Sequence, residues 1–537
     1  MQSFYVIISS NCHEAEYLKG RMSKVTIVRI PSLFATRALT LTAVPPIGIA
    51  YVASSLRLAG HEVKVVDSIG DALEQYYYFG VKNLYVNGLT TDQILQRIPT
   101  DSEFIGVSFP FSNEWPLAKR VCLAIKKRFP QAILFAGGEH ATAMPEHCLL
   151  DCPDLHYIIL GEGEETVVDL VNTLSVDGDV SKVAGIAFHQ KDGELFYTNK
   201  RNRMLAIDEI PHPAWDLIPL ENYLAGGYSY GVNIGRTIPL IATRGCPYQC
   251  TFCSNPQMWT TRWLARVPLK VVEEMEEYIR QYRVENFDFY DLTAVVRKDW
   301  IIEFCKLLIE RKLNITWQLP SGTRSEALDE EVTGLLYNSG CRNLTYAPES
   351  GSPEILKKIK KKINPDRMIA SMKSAITNKI NIKANIIVGF PGERLRNILE
   401  TYKFIVRMAL IGVDDVSVWT FTAYPGSEIF HDLQKQGRLP PFDDKYFYSL
   451  LSYSDLRHVV SWSENFGSWQ LKYLRLFGLL LFYAVRFTVR PLALFHTLGN
   501  IIRHKPESRM EMIVEKAINR HKNGDIVSNE EVLVSKF

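Results

Sequence analysis

From about residue 24 to 172 the chain alternates two hydrophobic periods. Short apolar runs (KVTIVRI, EVKVVD, FIGVSF, AILFAGG and YIILGEG) are rich in β-branched residues and end near Gly, Asp or Ser. Such runs predict strands covered on both faces. Between them, PPIGIAYVASSLRLAG and PLAKRVCLAIKKRF carry helical spacing. Strand–helix alternation predicts a doubly wound parallel sheet of Rossmann-like type, which binds ligands beyond the carboxyl ends of its strands. Those ends carry Ser108–Trp115, Gly137–His140 and Gly161–Glu164.

The pattern then breaks. Around IDEIPHPAWDLIPLENY the prolines and the lack of any period predict an extended connector. Six more strand-like runs follow: PLIATRG, NFDFYD, ITWQLPS, NLTYAPES, NIKANIIVGF and DDVSVWTFTAYPG. One helix between them, 269–282, repeats Val272, Met275, Ile279 and Tyr282 at helical spacing. Six βα units predict a (βα)6 partial TIM-type barrel, with its site at the strand C-termini. Beyond about 430 the chain becomes helical and aromatic. Within residues 474–495 an apolar run of about ten residues lies between Arg475 and Arg486, too short to span a bilayer. It suits either a core helix or an interfacial helix with its arginines at headgroups. The expected organisation is an extension (1–23), an α/β sheet domain (24–178), a connector (179–235), the partial barrel (236–430) and a C-terminal helical region (431–537).

Composition narrows this picture little. Of 537 residues 47% are apolar and 22% charged, and the net charge of +2 gives no general field for nucleic acid. The N-terminus lacks a charged flank leading into a long apolar run, so no secretory signal is expected. Nine cysteines in such a chain imply a reducing cytoplasm, where grouped thiols mean metal or redox chemistry.

Three of them are grouped. Cys246, Cys250 and Cys253, in RGCPYQCTFC, follow the first barrel strand at the end where barrels do chemistry. A structural zinc ion takes four ligands from paired clusters, and neither Cys305 nor Cys341 has a Cys or His neighbour at zinc-finger spacing. A disulfide leaves one thiol over. Three thiolates on a 4Fe-4S cluster leave one iron open for a ligand.

RGCPYQCTFC resembles the signature of the radical S-adenosylmethionine superfamily. VPPIGIAYVASSLRLAGHEVKVVD, FAGGEHAT, LGEGEETVVDL and IDEIPHPAWDLIP resemble its B12-binding-domain, cobalamin-dependent class, and YAPESGSPEILKKI, IIVGFPGE and AYPGSEIF continue the match through the barrel. The resemblance implies three cofactors: the 4Fe-4S cluster, S-adenosylmethionine on its open iron, and cobalamin on the sheet domain. It implies reductive cleavage of S-adenosylmethionine to a 5′-deoxyadenosyl radical that abstracts hydrogen from an unactivated carbon.

Carried over by position, Phe252 lies near the adenine, or simply packs the loop. Glu349 and Ser350 meet the polar part of S-adenosylmethionine, although a serine there also caps the helix PEILKKIKKK. Ser321 and Arg324 reach the methionine carboxylate or the surface. Asp291 stands in FYDLT where relatives carry Gly-Gly-Glu, and Gly389 opens the GFPGE turn. For cobalamin the implied contacts are Ser108, Gly137, Gly138, Glu162 and Gly163, with GEGEET equally readable as an acidic turn at a helix N-terminus. The D-x-H-x-x-G motif that gives cobalt a histidine is absent, and His140 in GGEHAT lacks that setting. No residue is assigned to catalysis itself.

The expected activity is C-methylation of an unactivated carbon in a small or lipid-like substrate. Radical cyclisation or C–C coupling is the first alternative, and a non-catalytic cobalamin- or cluster-binding module the second. A flavodoxin or ferredoxin is the expected electron donor. Nucleic acid is not expected as a partner, and residues 474–495 offer a peripheral membrane contact.

Overall fold

The computed structural model describes residues 21–35, 43–324, 327–508, 510–512 and 514–515. Most of the expected extension (1–20) and the end of the helical region (516–537) lie outside the described residues.

All five expected N-terminal strands form. Glu62–Asp67, Lys24–Arg29, Phe104–Ser108, Ile133–Gly137 and Tyr157–Ile159 lie side by side in that order, all parallel. The inner strands are mostly buried, as β-branched runs without alternation require, whereas the edge strand exposes Glu62 and Lys64. The stretch expected as connector opens with a hairpin, Ile186–His189 and Leu195–Tyr197, that extends this sheet to seven strands by antiparallel pairing. Its short strands and the turn at Gly193 (φ 86°) concealed it among polar residues. The register aligns Arg29, Ser108 and Gly137 across the carboxyl edge.

The six expected barrel strands also form: Thr237–Leu240, Asn286–Phe289, Thr316–Thr323, Cys341–Glu349, Asn381–Val388 and Asp415–Thr420. They pair in chain order, all parallel, leaving the barrel open between first and last. In Asn381–Val388 every second residue (Ile382, Ala384, Ile386, Val388) is buried, and the others are half-buried. The helix Pro268–Tyr282 buries Val271, Val272, Met275 and Tyr278, whereas Ile279 and Tyr282 are only half-buried. Its buried stripe is therefore rotated from the expected one.

The apolar C-terminal run lies in a helix, Ser468–Val489, that packs beside the last strand and the helix Leu395–Ile411. Leu471, Arg475, Gly478 and Phe482 are its buried face. Of the two expected placements, this face follows the core helix: its arginines turn inward rather than toward headgroups. Arg475 donates to the carbonyls of Tyr453 (3.1 Å) and Asp455 (2.5 Å), and Arg486 pairs with Asp414 at 3.2 Å. Desolvating a guanidinium is costly, so these carbonyl and carboxylate partners fix the helix in register. A second helix, Pro491–Ile502, leaves it at 111°. Among the described residues no single helix is long and apolar enough to cross a membrane.

Candidate functional site

The loop 246–253 begins at the short pair Thr243–Arg244 and Leu264–Ala265, just past the first barrel strand. Gly245 makes the turn. Its φ is 83°, and a Cβ there would stand 2.3 Å from the Arg262 carbonyl, so only glycine fits. Main-chain bonds then pin the loop on two sides: Thr251 donates to Ile359 (3.1 Å), and Ile429 donates to Thr251 (2.9 Å). Cys246, Cys250 and Cys253 are free and half-buried on this loop.

Burial pushes the Cys253 thiol up to about 12. It also raises Cys250, against which the Lys361 and Arg324 charges work. A metal must therefore displace protons here, and neighbouring cations lower that cost for Cys250. Among the described residues no three Cys, His, Asp or Glu side chains converge closely enough for one metal ion. Three thiols spread along one pinned loop fit a polynuclear cluster better than a single ion.

Around the loop, barrel strand ends supply polar groups. Asp291 is buried and accepts from the Ala242 amide (3.3 Å), the Thr243 hydroxyl (2.5 Å) and the Thr243 amide. Burial raises its carboxyl to about 6. It thus clamps the chain immediately before the cysteines, while Thr293 points its hydroxyl at the Cys246 sulfur (3.4 Å). Glu349 ends its strand in a left-handed conformation (φ 64°) and pairs with Lys361 at 2.9 Å. Arg324 stacks 3.6 Å over the Tyr248 ring and donates to the Lys362 carbonyl. Glu349, Lys361 and Arg324 all act electrostatically on Cys250, so they share its surroundings. Lys361 went unnoticed in the sequence because it looked like one more lysine in KKIKKK.

The remaining anticipated positions divide. Ser321 is half-buried on its strand. Ser350 is fully buried, its hydroxyl lying 3.0 Å from the Thr401 hydroxyl and accepting from the Ser352 amide (3.1 Å). That side chain organises the start of the helix Pro353–Lys358. Phe252 packs against Phe390, with ring centres 5.7 Å apart. At Gly389 the amide donates to Glu393 (2.5 Å), as does that of Phe390 (3.1 Å), so Glu393 closes the GFPGE turn.

The sheet domain sets its carboxyl edge against this loop. Glu139 accepts from Ser254, one residue past the last cysteine, and Thr142 reaches Met258 at 3.5 Å. Glu162 pairs with Arg203 (2.9 Å) and Arg244 (3.2 Å), and Glu164 with Arg244 (2.6 Å). Glu162, anticipated as a corrin contact, thus spends its carboxylate on two arginines. Ser108, Gly137, Gly138 and Gly163 are half-buried along the same edge, and a Cβ on Gly161 would meet only the Met258 carbonyl, at 3.7 Å. Gly138 (φ 117°) brings its backbone against Phe109, where a Cβ would clash at 2.7 Å. This glycine-lined, side-chain-poor edge suits a large flat ligand.

His140 is buried, its Nδ1 3.0 Å from the Ser112 hydroxyl and its Nε2 3.5 Å from the Cys148 sulfur. Burial lowers its pKa to about 3. Both ring nitrogens are occupied inside the domain, so the edge offers cobalt no histidine from this position.

Comparison with known proteins gives this architecture its class. The radical SAM superfamily model matches residues 240–405, and the B12 binding domain model matches residues 37–171. The chain thus carries a radical SAM domain and a B12 binding domain, the pairing found in cobalamin-dependent radical SAM enzymes. A 4Fe-4S cluster, S-adenosylmethionine and cobalamin are the cofactors of its two domains.

Among particular relatives, an uncharacterized methyltransferase of Pyrococcus horikoshii is 28% identical over 442 residues, 82% of this chain and 90% of the relative. The anaerobic magnesium-protoporphyrin IX monomethyl ester cyclase of Rubrivivax gelatinosus is 28% identical over 394 residues, 72% of this chain and 66% of the relative. In fold the chain is similar to the radical S-adenosylmethionine methyltransferase TsrM from Kitasatospora setae, solved with cobalamin and a [4Fe-4S] cluster (TM-score 0.60, 15% identity, 77% of this chain and 78% of that one).

Proposed function

We propose that the protein transfers a methyl group to an unactivated carbon of a small or lipid-like molecule. The observation that carries this reading is the docking of the sheet's carboxyl edge on the cysteine loop, through Glu139–Ser254 and Glu162/Glu164–Arg244. A methyl donor on the sheet edge and a radical source on the loop would then face one enclosed space, as transfer to a short-lived radical demands. When bound, the cluster with S-adenosylmethionine supplies the radical and cobalamin the methyl group.

In this reading Cys246, Cys250 and Cys253 hold the cluster. Arg324, Glu349 and Lys361 orient the charged end of S-adenosylmethionine, as their proximity to Cys250 supports. Ser321 and Phe252 border that ligand, and Gly389 and Ser350 contribute backbone. Asp291 acts on the loop through Thr243. Ser108, Gly137, Gly138 and Gly163 form the corrin floor, and Glu162 steadies its rim through Arg203 and Arg244. Electrons come from a flavodoxin- or ferredoxin-type donor.

A second reading, radical ring formation on the same scaffold, is favoured by the cyclase relative. The test is anaerobic turnover with S-adenosylmethionine labelled in its methyl group, using candidate acceptors and cobalamin. Label entering product on carbon supports methylation. Product that lacks the label, formed with 5′-deoxyadenosine and a new ring, establishes cyclisation instead. A non-catalytic module would yield neither product.

A further inference from the structure

One face of the C-terminal helices is left outside. On Ser468–Val489 the side opposite Leu471, Arg475 and Phe482 presents Trp469, Tyr473 and Leu480, the last 67% exposed. Across the 111° bend, Pro491–Ile502 presents Leu492 (80% exposed), Phe495 (68%) and Ile502 (76%). Large apolar side chains this exposed, several on each of two successive helices, are a feature monomeric soluble proteins seldom display.

Charge says what covers it. From Ser468 to Lys505 the chain contains no Asp or Glu, while it carries Lys472, Arg475, Arg486, Arg490, Arg503 and Lys505. Arg475 and Arg486 are used inward and Arg490 donates to the Ile411 carbonyl (2.9 Å), which leaves Lys472, Arg503 and Lys505 beside the apolar stripe. The acids that follow, Glu507, Glu511 and Glu515, lie against His496, Asn500 and His504. Aromatic and aliphatic groups bordered by cations, on helices that themselves carry no acid, complement an anionic lipid surface.

The placement gives the contact a purpose. Leu471, at the start of the first helix, lies against Gly389, where a Cβ would meet it at 2.8 Å. Gly389 opens the turn at the catalytic end of the barrel, so Trp469 and Tyr473 flank that end. At the far end Tyr483 and Arg486 bond Asp415 and Asp414, which begin the last strand. The helix runs along the last strand and the helix Leu395–Ile411, and its apolar stripe begins beside the candidate site.

We propose that this face docks peripherally on an anionic lipid bilayer and brings the mouth of the site to the membrane surface. The inference does not depend on whether the reaction is methylation or ring formation.

The test floats the full, cofactor-reconstituted chain with phosphatidylcholine vesicles, plain or containing about 30% phosphatidylglycerol. Partitioning about tenfold stronger on the anionic vesicles is expected, falling about tenfold in Leu492→Glu/Phe495→Glu and losing its charge preference in Arg503→Ser/Lys505→Ser. Equal iron content and melting temperature show that these variants fold. In the unaltered chain, brominated lipid should quench tryptophan emission, and Trp469→Phe should remove most of that quenching. No preference for anionic vesicles, or binding indifferent to these substitutions, overturns the proposal. So does a dimer that ignores vesicles and dissociates in Leu492→Glu/Phe495→Glu, which would make a second copy the occupant. Turnover of a water-soluble acceptor would survive either failure.

Discussion

Arg244, two residues before the first cysteine, places its guanidinium 2.6 Å from the Glu164 carboxylate of the other domain, and both groups are almost wholly buried. The same guanidinium reaches Glu162 and lies over the Tyr51 ring, 5.0 Å from its centre. One side chain therefore ties the cluster loop to the sheet edge. Breaking a buried ion pair on one side leaves the other charge stranded.

Arg244→Met should accordingly cost about 3 kcal/mol, because Glu164 and Glu162 stay behind in a dry junction. Thermal unfolding checks the stability, and limited proteolysis between residues 190 and 236 checks whether the domains separate. Despite its burial, the Arg244 charge holds Glu164 below the ordinary glutamate range. A depressed folded value means that this stabilisation is present above the ordinary value of 4.5 and is lost as pH falls through the folded one. The gap between wild type and Arg244→Met should therefore narrow in acid.

Gly245→Ala should disturb the loop itself. The new Cβ would meet the Arg262 carbonyl at 2.3 Å in a left-handed backbone, a strain of about 1–3 kcal/mol that the loop would relieve by moving. Iron bound per chain after anaerobic reconstitution should fall more steeply than the melting temperature.

Ser350→Ala separates two roles. Its hydroxyl is committed to Thr401 and the Ser352 amide, so removal should destabilise the fold by about 1–2 kcal/mol. S-adenosylmethionine affinity, measured by equilibrium dialysis on folded protein, should change by less than about twofold if only the Ser350 backbone faces the cofactor.

Glu393 predicts a pH effect of the opposite sign. Burial lifts its carboxyl to about 7, while the Gly389 and Phe390 amides pull it down. A folded value above the ordinary 4.5 favours the protonated form, so stability is lost as pH rises from that value to about 7 and then levels off. Glu393→Gln keeps an acceptor for both amides and removes the titration. In urea melts its stability relative to wild type should improve between pH 5 and pH 8.

The sheet domain was legible because its parallel strands are continuous apolar runs rich in β-branched residues, and the barrel because its apolar runs recur between helical segments, signals local to each segment. The cysteine loop was legible because its spacing lies within one stretch of chain. What escaped depends on partners far apart in sequence. Glu162 looked like a ligand contact until Arg203 and Arg244 were seen to claim it. Arg475 and Arg486 could be read as headgroup anchors or as part of a core helix, because nothing local announces the carbonyls of Tyr453 and Asp455 or the carboxylate of Asp414. Lys361 was hidden in a lysine run whose other members lack its pairing with Glu349.

The central claim, that three cysteines on one loop carry a cluster with an open iron, rests most directly on anaerobic reconstitution with iron and sulfide. Electron paramagnetic resonance of the reduced protein, with and without S-adenosylmethionine, reads the outcome. A four-iron signal that shifts on adding S-adenosylmethionine, and that vanishes when Cys246, Cys250 and Cys253 are all changed to Ala, is the predicted result. A cluster that survives the triple substitution, or none in the unaltered chain, would contradict it.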